Sequence, residues 1–268
     1  MKAKQNTLLW KIEGGYLPAP SYLFGTMHVK DQRAFGMIDE VHACIRECNA
    51  FATEFNLEEA NHRLAANIMD LPDGQTLDQL IKPKVYKKLQ KIFRKATGLD
   101  LALFNKSKPL LITNLLSERI LSEDMPDSLD ASLWQYAREQ GKIVLGIETY
   151  EEQLAIMEKI PLDYQVQSLI WAGKHFKRFR RQLIKMTEQY EEANISKLYK
   201  AARKSAKGLR RVMIYDRNVV MADRIEQIAA EQSLFAAVGA GHLGGKKGVL
   251  RLLKHKGFVV SPVSAVAS

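Results

Sequence analysis

Two stretches decide how this chain is read: Tyr22-Leu23-Phe24-Gly25-Thr26-Met27-His28 near its start and Ala236-Ala237-Val238-Gly239-Ala240-Gly241-His242 near its end. Each is an apolar run of strand character closing in Gly-x-x-His. One such tetrad is a weak signal; two, each behind an apolar run and near opposite ends of the chain, carry more weight. They point to an internal duplication in which each half supplies a strand and a histidine. The glycines allow a tight turn and close backbone approach where the strand hands over its imidazole.

Two more segments end in the same manner. Phe51-Ala52-Thr53 leads to Glu54, and Ile143-Val144-Leu145-Gly146-Ile147 leads to Glu148. If the four strands run parallel in one sheet, their carboxyl ends share an edge, where open α/β sheets place binding sites. Two imidazoles with carboxylates suit a divalent first-row metal, so His28, Glu54, His242 and Glu148 are the candidate ligands and Mn, Co or Zn the candidate ions. Glu54 serves as ligand or as the base for metal-bound water, whose pKa can fall to about 7. Glu148 has a second reading, as a cap on the helix that starts near Tyr150, where a carboxylate meets the positive dipole end. Asp130 could approach from the helical middle, but an N-cap or surface acid is the plainer reading.

Arg217 is the candidate for binding a substrate carboxylate or stabilising developing negative charge, because its fork matches oxyanions. Its structural alternative is a pair with a buried glutamate such as Glu148. Asn218 would hydrogen-bond substrate or hold the helix that carries Arg217. His42, His62, His175 and His255 have no comparable setting and read as surface or core residues.

The rest of the chain supports an α/β class: a mixed central sheet, flanking helices and a largely helical cap insertion. Leu8–Glu13 and Tyr22–Phe24 read as a hairpin or two neighbouring strands around Gly14-Gly15, and Phe35–Cys48 as a helix. From about 57 to 140 the periodicity is helical, with Thr76 opening one segment, Gly98 closing it and Pro109 opening another. Further helices fill most of 150–232, broken near Pro161 and Gly208. The last strands are Leu234–Val238 and Phe258–Val263, with a helix from Gly245 to Lys256 between them. No low-complexity linker divides the 268 residues, so one domain over 1–268 with a cap near 57–140 is expected.

Here the chain resembles the TraB/GumN family. Leu8-Leu9-Trp10-Lys11-Ile12, Pro20-Ser21 with the first Gly-x-x-His stretch, and Val238-Gly239-Ala240-Gly241-His242-Leu243-Gly244-Gly245 are similar to its signature blocks. Gly146-Ile147-Glu148-Thr149-Tyr150-Glu151-Glu152-Gln153-Leu154 and Asp216-Arg217-Asn218 with Met221 resemble two internal blocks. The one departure is Asp216, where relatives more often carry glutamate. The wider group takes in Tiki metalloproteases, erythromycin esterases and the iron- and haem-associated ChaN proteins. The resemblance implies a metal-dependent hydrolase of peptide or ester bonds acting on a peptide or small-molecule substrate, with His28, Glu54 and His242 at its centre. The rival it leaves open is a haem- or iron-binding protein on the same fold without turnover.

Composition narrows the alternatives. With 46% hydrophobic and 26% charged residues the chain has a globular balance, and no apolar run approaches the ~20 residues that span a bilayer. The net charge of +10 centres on Lys174–Arg181 and on Arg203, Lys204, Lys207, Arg210 and Arg211. No nucleic-acid-binding module accompanies it, so these read as solvated basic faces. Cys44 and Cys48, one helical turn apart, read as packed thiols rather than a metal or redox pair. The basic start has no apolar core of signal-peptide length, which places the chain as written in the cytoplasm; a removed signal would place it in the periplasm or outside the cell.

Overall fold

In the computed structural model, which describes residues 6–14, 16–56 and 70–263, six strands form one sheet. They are β1 (Leu9–Glu13), β2 (Ser21–Thr26), β3 (Ala50–Phe55), β4 (Ile143–Glu148), β5 (Leu234–Gly239) and β6 (Val259–Pro262), in the order β4-β3-β5-β2-β1-β6. The four strands that end in chemistry-bearing residues are mutually parallel, while β1 pairs antiparallel with both β2 and β6. Every residue of β2 and the first five of β5 are buried. That is why both read as continuous apolar runs: a central parallel strand is covered on both faces.

Eleven α-helices flank the sheet among the described residues: α1 (Ile38–Glu47), α2 (Leu77–Leu80), α3 (Pro83–Thr97), α4 (Pro109–Ile120), α5 (Leu129–Glu139), α6 (Tyr150–Glu158), α7 (Leu162–Lys174), α8 (Phe176–Glu191), α9 (Ile195–Ser205), α10 (Asp216–Glu231) and α11 (Val249–His255). Side chains three apart on a strand leave by opposite faces. Phe51 therefore stacks on Phe235 and meets Trp134 of α5 on one side of β3, while Glu54 turns toward α10 on the other.

Apolar burial falls into a main core around the sheet, a second cluster, and a small third one of Tyr199, Ala206 and Ile214. The second is built from Leu71, Leu77, Ile81, Tyr86, Leu89, Phe93, Leu99, Leu101, Ile112, Leu116, Val166 and Leu169. The span expected as a helical cap is divided between the main core and this second cluster. Helix α5 lies inside the 57–140 span, yet its Leu129, Leu133, Trp134 and Ala137 pack in the main core. Helix α7, which follows β4, contributes to the second cluster instead. Residues 57–69, where the cap was expected to begin and where His62 falls, lie outside the described residues.

The last helix is shorter than the span expected from Gly245 to Lys256. Gly245 sits at φ +84°, and a Cβ on Gly248 would come 2.1 Å from the Gly244 carbonyl oxygen. Backbone folded this tightly upon itself is a loop only glycine can make, so helix begins at Val249. A π turn over Arg211–Tyr215 runs directly into α10.

Candidate functional site

Strands β3 and β5 are neighbours, but β3 continues to β4 on one side and β5 to β6 at the far side of the sheet. Open α/β sheets place binding sites at the carboxyl ends of strands whose connections part in this way. Glu54 comes to that edge from the end of β3. His242 comes from the 3-10 turn Ala240–His242 that follows β5.

Glu54 is held at both oxygens. Oε1 accepts from the Gly239 amide at 2.7 Å and Oε2 from Arg217 Nη2 at 2.6 Å. A Cβ on Gly239 would lie 3.0 Å from Glu54 Oε1, so the missing side chain is what lets the carboxylate reach that amide. Burial opposes ionisation here, but the Arg217 charge, His242 and the Gly239 amide outweigh it and bring Glu54 down to about 2. The group is a carboxylate throughout the neutral range.

His242 is 9% exposed. Its Nδ1 lies 2.5 Å from Asn218 Oδ1, and Asn218 Nδ2 donates to the Lys247 carbonyl at 2.6 Å. With the amide nitrogen so engaged, Oδ1 is the atom facing the ring, and an acceptor there requires Nδ1–H. Nε2 is left with its lone pair, 3.9 Å from Glu54 Oε1 and beyond hydrogen-bond reach. Burial, against the pull of Glu54, lowers the ring's pKa to about 4, so it is neutral at neutral pH.

Arg217, in the first turn of α10, spans two acids. Its Nε donates to Glu148 Oε1 at 2.8 Å, and Nη2 reaches Glu148 Oε2 at 2.5 Å as well as Glu54. Glu148, buried at the end of β4, also accepts from Gln153 Nε2 at 2.6 Å. Burial pushes Glu148 upward and Arg217 pulls it back. The pairing weighed from the sequence as Arg217's structural alternative is thus present, and it extends to Glu54. Helix α6 is capped by Thr149, whose hydroxyl accepts from the Glu152 amide at 3.2 Å, and not by Glu148.

His28 lies two residues beyond β2, beside this group but in other surroundings. Its side chain is 63% exposed, and Nδ1 is 3.4 Å from Asp130 Oδ2. The Asp130 carboxylate beside it raises the ring above its ordinary range, against partial desolvation. Asp130 is not the cap of α5; Ser128 is, accepting from the Ala131 amide at 3.4 Å.

Neutral imidazole and ionised carboxylate are donors that Mn, Co and Zn accept, so His242 and Glu54 suit such an ion chemically. Among the described residues no group of three His, Cys, Asp or Glu side chains is gathered closely enough to hold one. Arg217 accounts for part of this, because it stands between the two glutamates. The anchoring of Arg217 by Gln153 through Glu148, and the Asn218–His242 contact, went unread in the sequence. The signal available for the second was the placing of Asn218 beside Arg217 at one helix start.

Elsewhere, Cys44 and Cys48 are free and buried, and burial pushes them up to about 11 and about 12, so both are thiols. His42 stacks on Tyr136 at 3.6 Å, and His255 accepts from Arg251. No helix among the described residues is long and apolar enough to cross a membrane.

A family model described as TraB/PrgY/gumN matches residues 8–262. The chain is 24% identical to a protein named Metalloprotease TIKI homolog from Amphimedon queenslandica, over 98% of this chain and 62% of that one. It is likewise 24% identical to Metalloprotease TIKI2 from Danio rerio, over 95% and 60%, and 23% identical to Metalloprotease TIKI1 from Xenopus tropicalis, over 97% and 62%. The chain thus spans about three fifths of the length of these curated relatives. No solved structure matches it.

Proposed function

The chain belongs to the TraB/PrgY/gumN family, and from that premise we propose that it is a metal-dependent hydrolase of peptide or ester bonds working at the carboxyl edge of β3 and β5. One observation carries the reading: a buried, neutral imidazole with its tautomer fixed by Asn218 stands beside a carboxylate held ionised by Arg217. Names of relatives that contain the word metalloprotease support the metal.

In this reading His242 and Glu54 are ligands for Mn, Co or Zn, and His28 is the further ligand from the adjoining strand. The ion's contribution when bound is to lower the pKa of a water so that it attacks a carbonyl at neutral pH. Asn218 holds Nδ1–H of His242 and keeps the ring aimed. Arg217 keeps Glu54 deprotonated; its Nη1, which is not among the atoms bound to the two acids, is the group directed at an anionic oxygen of the substrate. Glu148 and Gln153 hold Arg217 in place, and Glu148 is assigned to that duty and not to the metal.

The test is metal content after incubation with Mn, Co or Zn, wild type beside His242→Ala, with folding of both checked by circular dichroism. Uptake of on the order of one ion per chain by wild type, lost in the variant, together with metal-dependent cleavage of a peptide and ester panel, is the expected result. Failure of the wild-type chain to take up any of the three ions overturns the reading.

A further inference from the structure

Asn218 fixes His242 from the third residue of α10. The matching place at the other histidine is occupied by Asp130, the second residue of α5. How Asp130 comes to stand there is set by backbone. The Leu129 amide donates to the Val29 carbonyl at 3.1 Å, and the Met125 amide donates to the Lys30 carbonyl at 2.9 Å. Lys30 Nζ in turn donates to the Pro126 carbonyl at 2.7 Å. The segment leading into α5 is therefore stitched to the residues just past His28 without any help from the Asp130 side chain.

That side chain has one oxygen committed and one not. Oδ1 accepts from Thr26 Oγ1 at 2.7 Å. Oδ2 is buried, accepts no hydrogen bond from the described residues, and has His28 Nδ1 3.4 Å away. A buried carboxylate oxygen without a donor is costly, and the donor within reach is an imidazole N–H. An ionised carboxylate only accepts, so the contact is attractive only when the proton sits on Nδ1.

We propose that Asp130 is the positioning residue of His28: it takes Nδ1–H, holds the Nδ1-protonated tautomer and leaves the Nε2 lone pair at the carboxyl edge of the sheet. The two Gly-x-x-His segments then share one device, an oxygen from the first turn of a helix that selects Nε2 as the working nitrogen. The difference is that the exposed ring is paired with a carboxylate and the buried ring with a neutral amide. Oxygen partners of this kind orient imidazoles and raise their strength as donors to metals. The inference rests on the proposed place of His28 in the site, but its test needs neither metal nor substrate.

The experiment is long-range proton–nitrogen correlation NMR on the metal-free full chain, at a pH where both rings are neutral. His28 is assigned by its loss in His28→Gln. In wild type, His28 and His242 both show the Nδ1–H pattern. In Asp130→Ala, His28 shifts to the Nε2–H form that an unrestrained imidazole prefers, while His242 is unchanged and reports an intact fold. Asp130→Asn, which keeps an acceptor oxygen and lets the Thr26 hydroxyl meet the amide nitrogen, restores the wild-type pattern. An Nε2–H pattern for His28 in wild type overturns the proposal, as does an Nδ1–H pattern that persists in Asp130→Ala. Because no metal is added, either failure stands apart from a failure of the hydrolase reading.

Discussion

His242 and His28 close the same short motif on neighbouring parallel strands, yet one is 9% exposed and the other has 63% of its side chain in solvent. The buried ring faces a neutral amide and is driven down to about 4; the exposed ring faces a carboxylate and is raised. The motif itself sets only where the ring stands. Burial decides the charge of the first ring, and the carboxylate on the facing helix that of the second. A second carboxylate against His242, which already has Glu54 at 3.9 Å, would put two negative charges about one buried ring. An uncharged oxygen at that position fixes the tautomer without adding to that cost.

The sharpest test of this asymmetry is Arg217→Ala. It leaves Glu54 and Glu148 facing each other with their shared cation gone, and unpaired buried charge of this kind costs about 3–5 kcal/mol. Chemical denaturation measures it; a loss no larger than that of Asp130→Ala would mean the two halves are not different in kind. Asn218→Ala comes next, at about 1–3 kcal/mol, because it strands a buried ring N–H and the Lys247 carbonyl.

Titration gives a third comparison, with opposite signs at the two rings. The unfolded state holds a proton on His242 up to about 6.5 and the folded state only below about 4, so stability falls as pH drops through that interval. Glu54 adds a further loss between 4.5 and about 2, where its depressed pKa is crossed. His28 works in reverse: its contribution is complete below its ordinary 6.5 and is lost as pH rises through its raised value. Denaturation midpoints across the acid range, taken on wild type and His242→Gln, check the first sign; the slope between about 6.5 and 4 should flatten in the variant. The smallest effect belongs to Asp130→Ala, which removes a contact to a largely exposed ring and one hydrogen bond from the Thr26 hydroxyl, and should cost about 1 kcal/mol.

The sequence disclosed the strands of this edge because each is an apolar run interrupted by a residue that no core would accept unpaired. Parallel pairing of β2, β3, β4 and β5 could be anticipated from the same pattern. The insertion of β5 between β3 and β2 could not, since those pairings join residues more than 180 positions apart and nothing local encodes them. Asp130 and Asn218 were hard to read for a related reason. Each sits on a helix remote in sequence from its histidine, and an acid or amide in a first helical turn has an ordinary explanation there. Arg217 was legible as a choice between substrate and Glu148, but only the fold brings in Glu54 as a second partner.

The π turn over Arg211–Tyr215 makes the length of the chain matter at this point as much as its composition. It lodges one residue more than an α-helix would between the Tyr199 cluster, which holds Ile214, and the helix that carries Arg217 and Asn218. Each residue advances a helix by about 100°, so deleting one here forces a choice. Either Ile214 leaves its cluster, or Arg217 swings away from both glutamates.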